Sequence, residues 1–543
     1  MIIGIDVGGT NTDAVLLDGQ QIVAATKTAT TPDVTSGIMT AVGVLREASG
    51  ASVDAVTAVM IGTTHFVNAL VEAQRLSPTA VIRLGLPAGS GLPPLVGWPA
   101  RMRQAIAGQA FMIHGGHEFD GRSISELRPD ELTDAVDQAL DAGAESIAIS
   151  SIYSPVNAEF ELLAENLIAE RYPQIPVTLS HQIGRLGLLE RENAAVINAA
   201  LRGLARDIST ALTVAVRNLG ITAPLFVSQN DGTVMDLDFT RRYPVNTFAS
   251  GPTNSMRGAA FLSGLSECVV IDVGGTTSDV GVLQSGYPRE AALEVEVEGI
   301  RTNFRMPDVL SVGLGGGSRV VATDSAVAVG PDSVGYRIGH EALVFGGRTL
   351  TATDIAVAAG LADIGDRSLV ADLPARVVDG GLERIRTILE STVDRMRTTA
   401  EPVDVVAVGG GSILVPATLS CASAVHLPEN YAVANAIGAA IAQVGGEVDR
   451  IFGVPAGQRE SVLDTAKQEA VDRAMAAGAA PSSIRIVDID EVPLAYLPGN
   501  AVRIRVKAVG DLPMGRNSTA ATDSGTPADR AVSDDAVTAG VQR

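Results

Sequence analysis

The stretch IDVGGTNTD at residues 5–13 returns almost unchanged as IDVGGTTSD at residues 271–279. Each copy follows one apolar run and precedes another, a pattern typical of two β-strands joined by a glycine turn. Glycine tolerates positive φ and lets the backbone approach a ligand, so successive N–H groups can converge on an anion. Two copies in one chain favour a duplicated phosphate clamp over a pair of ordinary hairpins.

Similar elements surround both copies. Residues 2–29 and 269–298 each contain three β-rich runs with short breaks, and each is predicted to form a β-meander. Alanine-rich helical patterns follow at 35–49, 65–76, 351–361 and 380–396. A mixed sheet with helices, formed twice, predicts an α/β architecture with a pseudo-duplicated core.

The predicted domain organisation has four parts. Helix and strand patterns alternate over residues 127–180, which indicates a βαβ layer attached to the first lobe. Residues 483–512 read as strands, and the polar segment after them lacks aromatic residues, as disordered tails do. We therefore predict an N-terminal lobe with the first hairpin at 1–185, a second lobe with the second hairpin at 186–480, a small strand-rich C-terminal unit at 481–512 and a disordered tail at 513–543.

Composition argues against several classes of function. The formal net charge of -22 disfavours binding to nucleic acid or to membrane phosphates. Cys268 and Cys421 lie far apart, which gives no support for a disulfide framework or a zinc site. No signal-peptide pattern opens the sequence and no apolar run reaches the roughly 18 residues of a membrane helix. We expect a cytoplasmic globular protein.

The residues around the two turns suggest how a phosphate would be held. The carboxylates of Asp6 and Asp13 flank the first turn, and those of Asp272 and Asp279 flank the second. Acids beside a phosphate clamp would repel the phosphate unless Mg²⁺ lay between, and Mg²⁺ is commonly held by carboxylates, waters and phosphate oxygens. Asp13 and Asp279 could instead cap the turns. The predicted phosphate contacts are Gly8, Gly9, Thr10, Asn11 and Thr12 in the first copy and Gly274, Gly275, Thr276 and Thr277 in the second.

Two further glycine runs, at residues 315–318 and 409–412, both read GGGS. Such a segment after a strand permits backbone contact with a flat ligand such as adenine, although a plain tight turn is an equal alternative. The predicted nucleotide contacts there are Gly315, Gly316, Gly409, Gly410 and Gly411. Two phosphate hairpins followed by a strand and GGGS resemble the actin, sugar-kinase and Hsp70 ATPase superfamily. The resemblance implies a two-lobed actin-like (ribonuclease H-like) α/β fold that closes on ATP.

Eight stretches narrow the resemblance, and they follow one another over about residues 1–450. They are DVGGTNTD at 6–13, IGTTHFVNALVE at 61–72, GGHEFDGR at 115–122, LLERENAAVINAAL at 188–201, SQNDG at 228–232, ASGPTNSMRGAA at 249–260, DVGGTTSD at 272–279 and GLGGGS at 313–318. Together they resemble the A-type, ATP-dependent subunit of the hydantoinase/5-oxoprolinase family, in its short-chain branch. The sequence departs from the family pattern at Asn11, where Phe is usual, and at Thr277-Ser278, where Ser-Thr is usual.

The resemblance implies a chemistry. A subunit of this type would use ATP and Mg²⁺ to phosphorylate the carbonyl oxygen of a hydantoin, lactam or similar cyclic amide, and so activate the ring for opening by water. It implies a second, B-type or similar subunit as partner, and a homo-oligomer is left open. The alternatives are the ATP-using subunit of an acetone- or acetophenone-type carboxylase and a small-molecule kinase for a sugar or polyol.

The resemblance also implies roles for individual residues. Asp6 and Asp272 would hold Mg²⁺ and its waters, with Asp13 and Asp279 as further candidates. His65, with its neighbours Thr63, Thr64 and Asn68, would face the acceptor, unless it caps its helix. Glu190 and Arg191 would bind the acceptor or the transferring phosphate, unless they form a solvated helical pair.

Overall fold

The computed structural model describes residues 1–9, 11–29, 34–291, 295–324, 326–495 and 500–512. The strands within these residues are β1 (Ile2–Val7), β2 (Asn11–Asp18), β3 (Gln21–Ala29), β4 (Ala58–Thr63), β5 (Thr79–Leu86), β6 (Gln109–His114), β7 (Ser146–Ser151), β8 (Val177–Leu179), β9 (Leu225–Ser228), β10 (Thr233–Asp236), β11 (Cys268–Val273), β12 (Ser278–Gln284), β13 (Tyr287–Pro288), β14 (Val295–Val297), β15 (Ile300–Thr302), β16 (Val309–Val312), β17 (Ser318–Ala322), β18 (Val327–Ser333), β19 (Val403–Val408), β20 (Ala422–His426), β21 (Gln443–Gly453), β22 (Arg485–Pro493) and β23 (Ala501–Gly510). The α-helices are α1 (Val34–Ser49), α2 (His65–Glu72), α3 (Ala100–Ala105), α4 (Pro129–Asp141), α5 (Glu159–Arg171), α6 (Leu188–Asn218), α7 (Leu237–Arg242), α8 (Ser250–Ser263), α9 (Ile338–Glu341), α10 (Ala352–Ala358), α11 (Ala375–Met396), α12 (Ala434–Ala440) and α13 (Arg459–Ala476). No helix in the described part of the chain is long and apolar enough to cross a membrane.

The first hairpin belongs to a nine-stranded mixed sheet in the order β22-β23-β21-β10-β9-β4-β1-β2-β3. β1, β2 and β3 form the meander predicted for residues 2–29, with antiparallel pairing throughout. β4 lies parallel to β1 on its other side. The buried faces of these strands pack on α1 and α6 through a core of Ile, Val, Leu and Ala side chains.

The strands of the first sheet come from both sides of the domain boundaries predicted at residues 185/186 and 480/481. The chain returns to the first sheet twice, at β9-β10 and again at β21. β23 pairs with β21 without a break from Ala501 to Gly510, so the C-terminal strands extend this sheet instead of forming a unit of their own. The continuous backbone hydrogen bonds are the physical reason, because a sheet edge gains stability by adding a strand. The predicted tail at 513–543 lies outside the described residues.

The second hairpin belongs to a sheet in the order β13-β12-β11-β19-β20, with β16 also paired to β12. The meander predicted for residues 269–298 is therefore wrong in its third strand. β13 covers only Tyr287–Pro288, and β16 takes the remaining edge of β12 at Ser278–Gly281. Pro288 has no N–H to donate, and the Arg289 amide donates to the Val282 carbonyl oxygen of β12 at 2.8 Å.

A third, four-stranded parallel sheet has the order β6-β5-β7-β8 and lies between the two hairpins in sequence. Its two central strands, β5 and β7, are almost wholly buried, and α4 and α5 pack against the sheet. This is the βαβ layer that the alternation over residues 127–180 predicts, extended by β5 and β6.

Helices α8 and α12 cross at very short range between the two hairpin sheets. A Cβ atom added at Gly258 of α8 would lie 1.9 Å from the carbonyl oxygen of Ala434. One added at Gly438 of α12 would lie 1.8 Å from the carbonyl oxygen of Asn254. Each helix therefore uses a glycine where the backbone of the other passes, and α12 also lies against β1 at Gly4.

We expect Gly438→Ala to destabilise the protein by at least about 2 kcal/mol, because overpacked sites typically cost about 1–3 kcal/mol and here the methyl group would meet backbone. Urea unfolding followed by circular dichroism measures the effect. Gly43→Ala is the matched control, because its methyl group would meet no atom within 4 Å in α1 and alanine favours helix. Equal stability of the two variants would contradict the crossing described above.

Candidate functional site

The two glycine turns have the same geometry. The Gly8 amide donates to the Asn11 carbonyl oxygen at 3.0 Å, and the Gly274 amide donates to that of Thr277 at 2.9 Å. A Cβ atom at Gly9 or at Gly275 would meet nothing within 4 Å, so the turns have open space beside them. Thr276 and Thr277 are exposed there, as a phosphate contact requires. Thr10 lies outside the described residues.

Strand register places the four predicted carboxylates in two matching pairs. Asp6 lies opposite Asp13 across β1 and β2, and Asp272 lies opposite Asp279 across β11 and β12. Directly opposed residues point to the same face of a sheet. Each lobe therefore presents two acidic side chains beside its glycine turn.

Helix α8 joins the two pairs through adjacent residues. Asn254 Nδ2 donates to Asp6 Oδ1 at 3.2 Å, and the side chain of Ser255 lies close enough to Asp272 to oppose the rise in its pKa. Asn435, at the start of α12, donates to Asp6 Oδ2 at 3.0 Å. Asp6 and Asp272 are close enough for the charge of Asp6 to act on Asp272. The structure thus brings the two hairpins to one shared site.

The carboxyls of this site have raised pKa values, mainly because they are buried, and the charge of Lys27 opposes the shifts of Asp6 and Asp272. Burial raises the pKa of Asp6 to about 6, and the neighbouring Asp13 raises it further while Asn254 and Asn435 oppose the shift. Burial raises the pKa of Asp272 to about 7, with Asp279 and Asp6 adding to the effect. Burial also raises the pKa of Asp13 and of Asp279. A bound cation would relieve this crowding of carboxylates.

The donor set fits Mg²⁺ held partly by other oxygens. Oδ1 of Asp13 is buried and has no hydrogen-bond partner, which leaves an acceptor unused in the site. Among the residues that the structure describes, no group of three His, Cys, Asp or Glu side chains converges as a complete metal site. Mg²⁺ usually takes only one or two carboxylates and completes its shell with water and phosphate oxygens.

Glycines in the neighbouring parallel strands leave room for the central aspartates. A Cβ atom at Gly62 of β4 would lie 2.2 Å from Asp6 Oδ1, and one at Gly409, just after β19, would lie 2.2 Å from Asp272 Oδ1. Gly410 is exposed with nothing beside it, whereas the Gly411 amide donates to the Val273 carbonyl oxygen at 2.7 Å. Of this run, Gly410 is the residue placed to meet a ligand.

Three predicted phosphate or nucleotide contacts have other partners. Gly315 and Gly316 are buried, and the Gly316 amide donates to the Gly274 carbonyl oxygen at 3.0 Å. A Cβ atom at Gly315 would lie 2.6 Å from the backbone of Gly275. These glycines brace the second turn from behind and do not face a ligand. Thr12 is fully buried within the sheet, since it pairs with Val7 and Thr28 across β2.

Arg191 is buried and hydrogen-bonded to the protein, and its predicted role towards the acceptor or the transferring phosphate stays a prediction. Its fully buried guanidinium has five acceptors around it, one at Nε, three at Nη1 and one at Nη2. The acceptors are Ser180 Oγ and the carbonyl oxygens of Ser151, Arg185, Leu186 and Gly187. Burial lowers its pKa to about 10, and Glu161 opposes the shift, so it stays charged. Glu190 lies half-buried beside it in the first turn of α6.

His65 lies against the first hairpin at the start of α2. Its Nδ1 is 2.6 Å from Thr63 Oγ1, and the Thr64 hydroxyl donates to the Val7 carbonyl oxygen at 3.4 Å. Burial lowers the pKa of His65, and Arg75 lowers it further, which favours a neutral imidazole. The ring bonds to Thr63 and makes no helix cap. Its role towards an acceptor stays a prediction.

Sequence reasoning missed four polar residues that complete the site. Asn254 and Ser255 lie in the stretch ASGPTNSMRGAA, which carried the family resemblance but suggested no role. Asn435 is 181 positions further along, in an alanine-rich segment without a signal of its own. Lys27 Nζ donates to Asp13 Oδ2 at 2.7 Å from β3.

Two related sheets that bring glycine hairpins and buried aspartates to one site define a two-lobed protein of the actin-like ATPase class. Solved structures agree with this fold. The ATP-dependent caprolactamase from Pseudomonas jessenii superposes with a TM-score of 0.76 at 18% identity, covering 96% of this chain and 90% of that one. Nucleotide-free acetone carboxylase gives a TM-score of 0.64 at 18% identity, covering 94% and 88%.

Two family models identify the family of the chain. The hydantoinase/oxoprolinase N-terminal region matches residues 2–172, and the hydantoinase/oxoprolinase model matches residues 191–370. The chain belongs to the hydantoinase/oxoprolinase family.

Two curated relatives show how far the similarity extends. The acetophenone carboxylase gamma subunit of Aromatoleum aromaticum is 30% identical over 379 residues, or 64% of this chain and 51% of the relative. The caprolactamase subunit alpha of Pseudomonas jessenii is 27% identical over 361 residues, or 61% and 50%. The chain thus spans about half the length of the curated relatives that it matches.

We expect the buried aspartates to make the ligand-free protein less stable as the pH rises from 6 to 8. The folded-state pKa values of Asp6 and Asp272 both lie above the ordinary aspartate value of 3.8. The stability that protonation confers is therefore complete below pH 3.8 and is lost as the pH rises through about 6 and 7. Thermal midpoints measured in EDTA across this range test the slope.

The variant Asp272→Asn carries no charge at this position, and it should lose part of the fall in midpoint between pH 6 and pH 8. Asp464→Asn changes an exposed carboxylate in α13 and should keep the wild-type slope. Identical slopes in all three proteins would show that Asp272 is not a buried, titrating group.

Proposed function

We propose that the chain is the ATP-using subunit of a hydrolase that phosphorylates the carbonyl oxygen of a hydantoin, lactam or similar cyclic amide. The observation that carries the proposal is the contact of Asn254 and Ser255, adjacent in α8, with Asp6 and Asp272 of the two hairpins. It supports a single site at which both turns grip one triphosphate. The family and the similarity to a caprolactamase subunit support a cyclic amide as acceptor.

The chemistry gives ATP a clear purpose. An amide carbonyl is a poor electrophile because the nitrogen donates electron density into it. Transfer of the γ-phosphoryl group to the carbonyl oxygen gives an imidate phosphate and ADP. Water then adds to the carbon, and the ring C–N bond breaks to leave an amine and an acyl phosphate. A second water hydrolyses the acyl phosphate to a carboxylate and inorganic phosphate. The ring is opened at the cost of one ATP.

Phosphoryl transfer asks a protein mainly for alignment and charge neutralisation. The open amides at Gly9 and Gly275 suit the phosphate oxygens, and Asp6 and Asp272 would hold Mg²⁺ directly or through its waters. Mg²⁺, when bound, would neutralise the phosphate oxygens and draw them into line. Asn254 and Asn435 keep the Asp6 carboxylate in a fixed orientation.

A second subunit is part of the proposal. The curated relatives are named as subunits of a caprolactamase and of carboxylases, so each works with other chains. The partner of this chain would take the activated acceptor or complete its hydrolysis. A homo-oligomer of this chain is compatible with the same arrangement.

The carboxylase alternative has a specific observation in its favour, because the acetophenone carboxylase gamma subunit reaches 30% identity. The same ATP site could phosphorylate bicarbonate or an enolised ketone. ATP-dependent incorporation of labelled bicarbonate into an organic acid would select this alternative.

The test of the main proposal is ATP turnover with a panel of hydantoins and lactams, with and without the protein encoded next to this chain. We expect at least one cyclic amide to raise ATP turnover severalfold and to yield the ring-opened amino acid by mass spectrometry. Asp6→Asn and Asp272→Asn should lower stimulated turnover at least about 100-fold, because each removes a charge that positions the metal. Failure of every cyclic amide, with partner present, would reject this acceptor class.

A further inference from the structure

Only three lysines occur in the chain, Lys27, Lys467 and Lys507, against a much larger number of arginines. Lys467 pairs with Asp464 on an exposed helix face, and Lys507 is buried against Asp231. Lys27 lies in β3 of the first lobe, beside the carboxylates of the nucleotide site. No function described above uses it.

Cross-strand register places Lys27 in one row with the acidic pair of its lobe. Asp6 lies opposite Asp13, and Asp13 lies opposite Lys27. The three side chains therefore share one face of the sheet, the face on which Asp6 meets Asn254 of α8. Lys27 Nζ donates to Asp13 Oδ2 at 2.7 Å, which occupies one of its three N–H groups.

A β-bulge between Leu16 and Leu17 creates this register. Next to the turn, Leu17 pairs with Ile22, whereas beyond the bulge Leu16 pairs with Ala24. Without the extra residue, Thr26 would lie opposite Asp13 and Lys27 would point to the other face of the sheet. The bulge therefore aims Lys27 into the site.

The second lobe has no lysine in the matching row. Asp272 lies opposite Asp279, and Asp279 lies opposite Ser311 of β16, whose hydroxyl donates to it. Of the two rows, only that of the first lobe therefore contains a lysine, Lys27. The Lys27 side chain is 34% exposed, so its ammonium group is accessible from solvent and is not sealed in the core.

We propose that Lys27, held by Asp13, binds an oxygen of the terminal phosphate of ATP and so selects the triphosphate over the diphosphate. The inference rests on the function proposed above only in taking ATP as the ligand, and it is independent of the acceptor. Asp13 is then a positioning residue for Lys27, and Asp6 and Asp272 are left to hold the metal. A lysine ammonium is a compact charge with rotatable donors, which suits a phosphate that departs during the reaction.

Nucleotide binding tests the inference without catalysis. Isothermal titration with Mg²⁺ compares the β,γ-imido analogue of ATP with ADP, for the wild-type chain and for Lys27→Met. We expect the variant to bind the analogue about 10- to 100-fold more weakly, as loss of a charge-assisted hydrogen bond predicts, and to bind ADP within about threefold of wild type. Lys467→Met is the matched control, because that side chain is 35% exposed and also pairs with an aspartate. It should bind both nucleotides as the wild type does.

The double variant Lys27→Met, Asp13→Asn separates phosphate binding from mere neutralisation of Asp13. If Lys27 acted only by balancing Asp13, removal of both charges would restore analogue binding, and this result would overturn the inference. Continued weak binding of the analogue in the double variant supports it. An unchanged analogue-to-ADP ratio in Lys27→Met overturns this inference alone, whereas a wild-type chain that binds neither nucleotide overturns the proposed function with it.

Discussion

The close crossing of helices α8 and α12 is the contact on which the rest of the site depends. Asn254 of α8 and Asn435 of α12 hold the two oxygens of Asp6, and Ser255 of α8 lies beside Asp272. If the helices lay a few tenths of an ångström further apart, these donors would shift relative to both hairpins. Gly258 and Gly438 permit the approach because a methyl group at either would meet backbone. One crossing thereby fixes the geometry of two lobes.

This geometry has an electrostatic cost in the ligand-free protein. Four carboxylates with raised pKa values share one site, and Lys27 is the lysine among them. The carboxylates of this site therefore lower the stability of the ligand-free protein, as is common for residues that serve binding. A cation that binds the folded state and not the unfolded chain returns this stability by mass action. A metal ion bound at this site would therefore stabilise the folded protein.

Local sequence was sufficient for the parts of the structure that depend on near neighbours. The turns, their flanking aspartates, the first meander, the βαβ layer and the actin-like fold follow from glycine spacing, periodicity and the family resemblance. Distant contacts were not accessible in this way. Arg191 has charged neighbours on both sides, like a surface helix, yet tertiary packing turns it inward to five acceptors. The direction of the Lys27 side chain depends on a β-bulge, and no residue near Leu16 indicates in the sequence that the strand register shifts there by one position.

The two copies of the hairpin have kept the same turn but differ in what surrounds it. The second turn is braced by amides of Gly316 and Gly317, and the Gly411 amide holds the strand that leads into it. The first turn has instead a lysine on its sheet and the start of α2, with His65, beside it. The braced second turn suits phosphates that stay with the nucleotide, whereas a turn with a lysine and an imidazole beside it suits the phosphate that is transferred. With a triphosphate bound as proposed, the duplication would supply one braced side and one side with added donors, which accounts for the different surroundings of two equal turns.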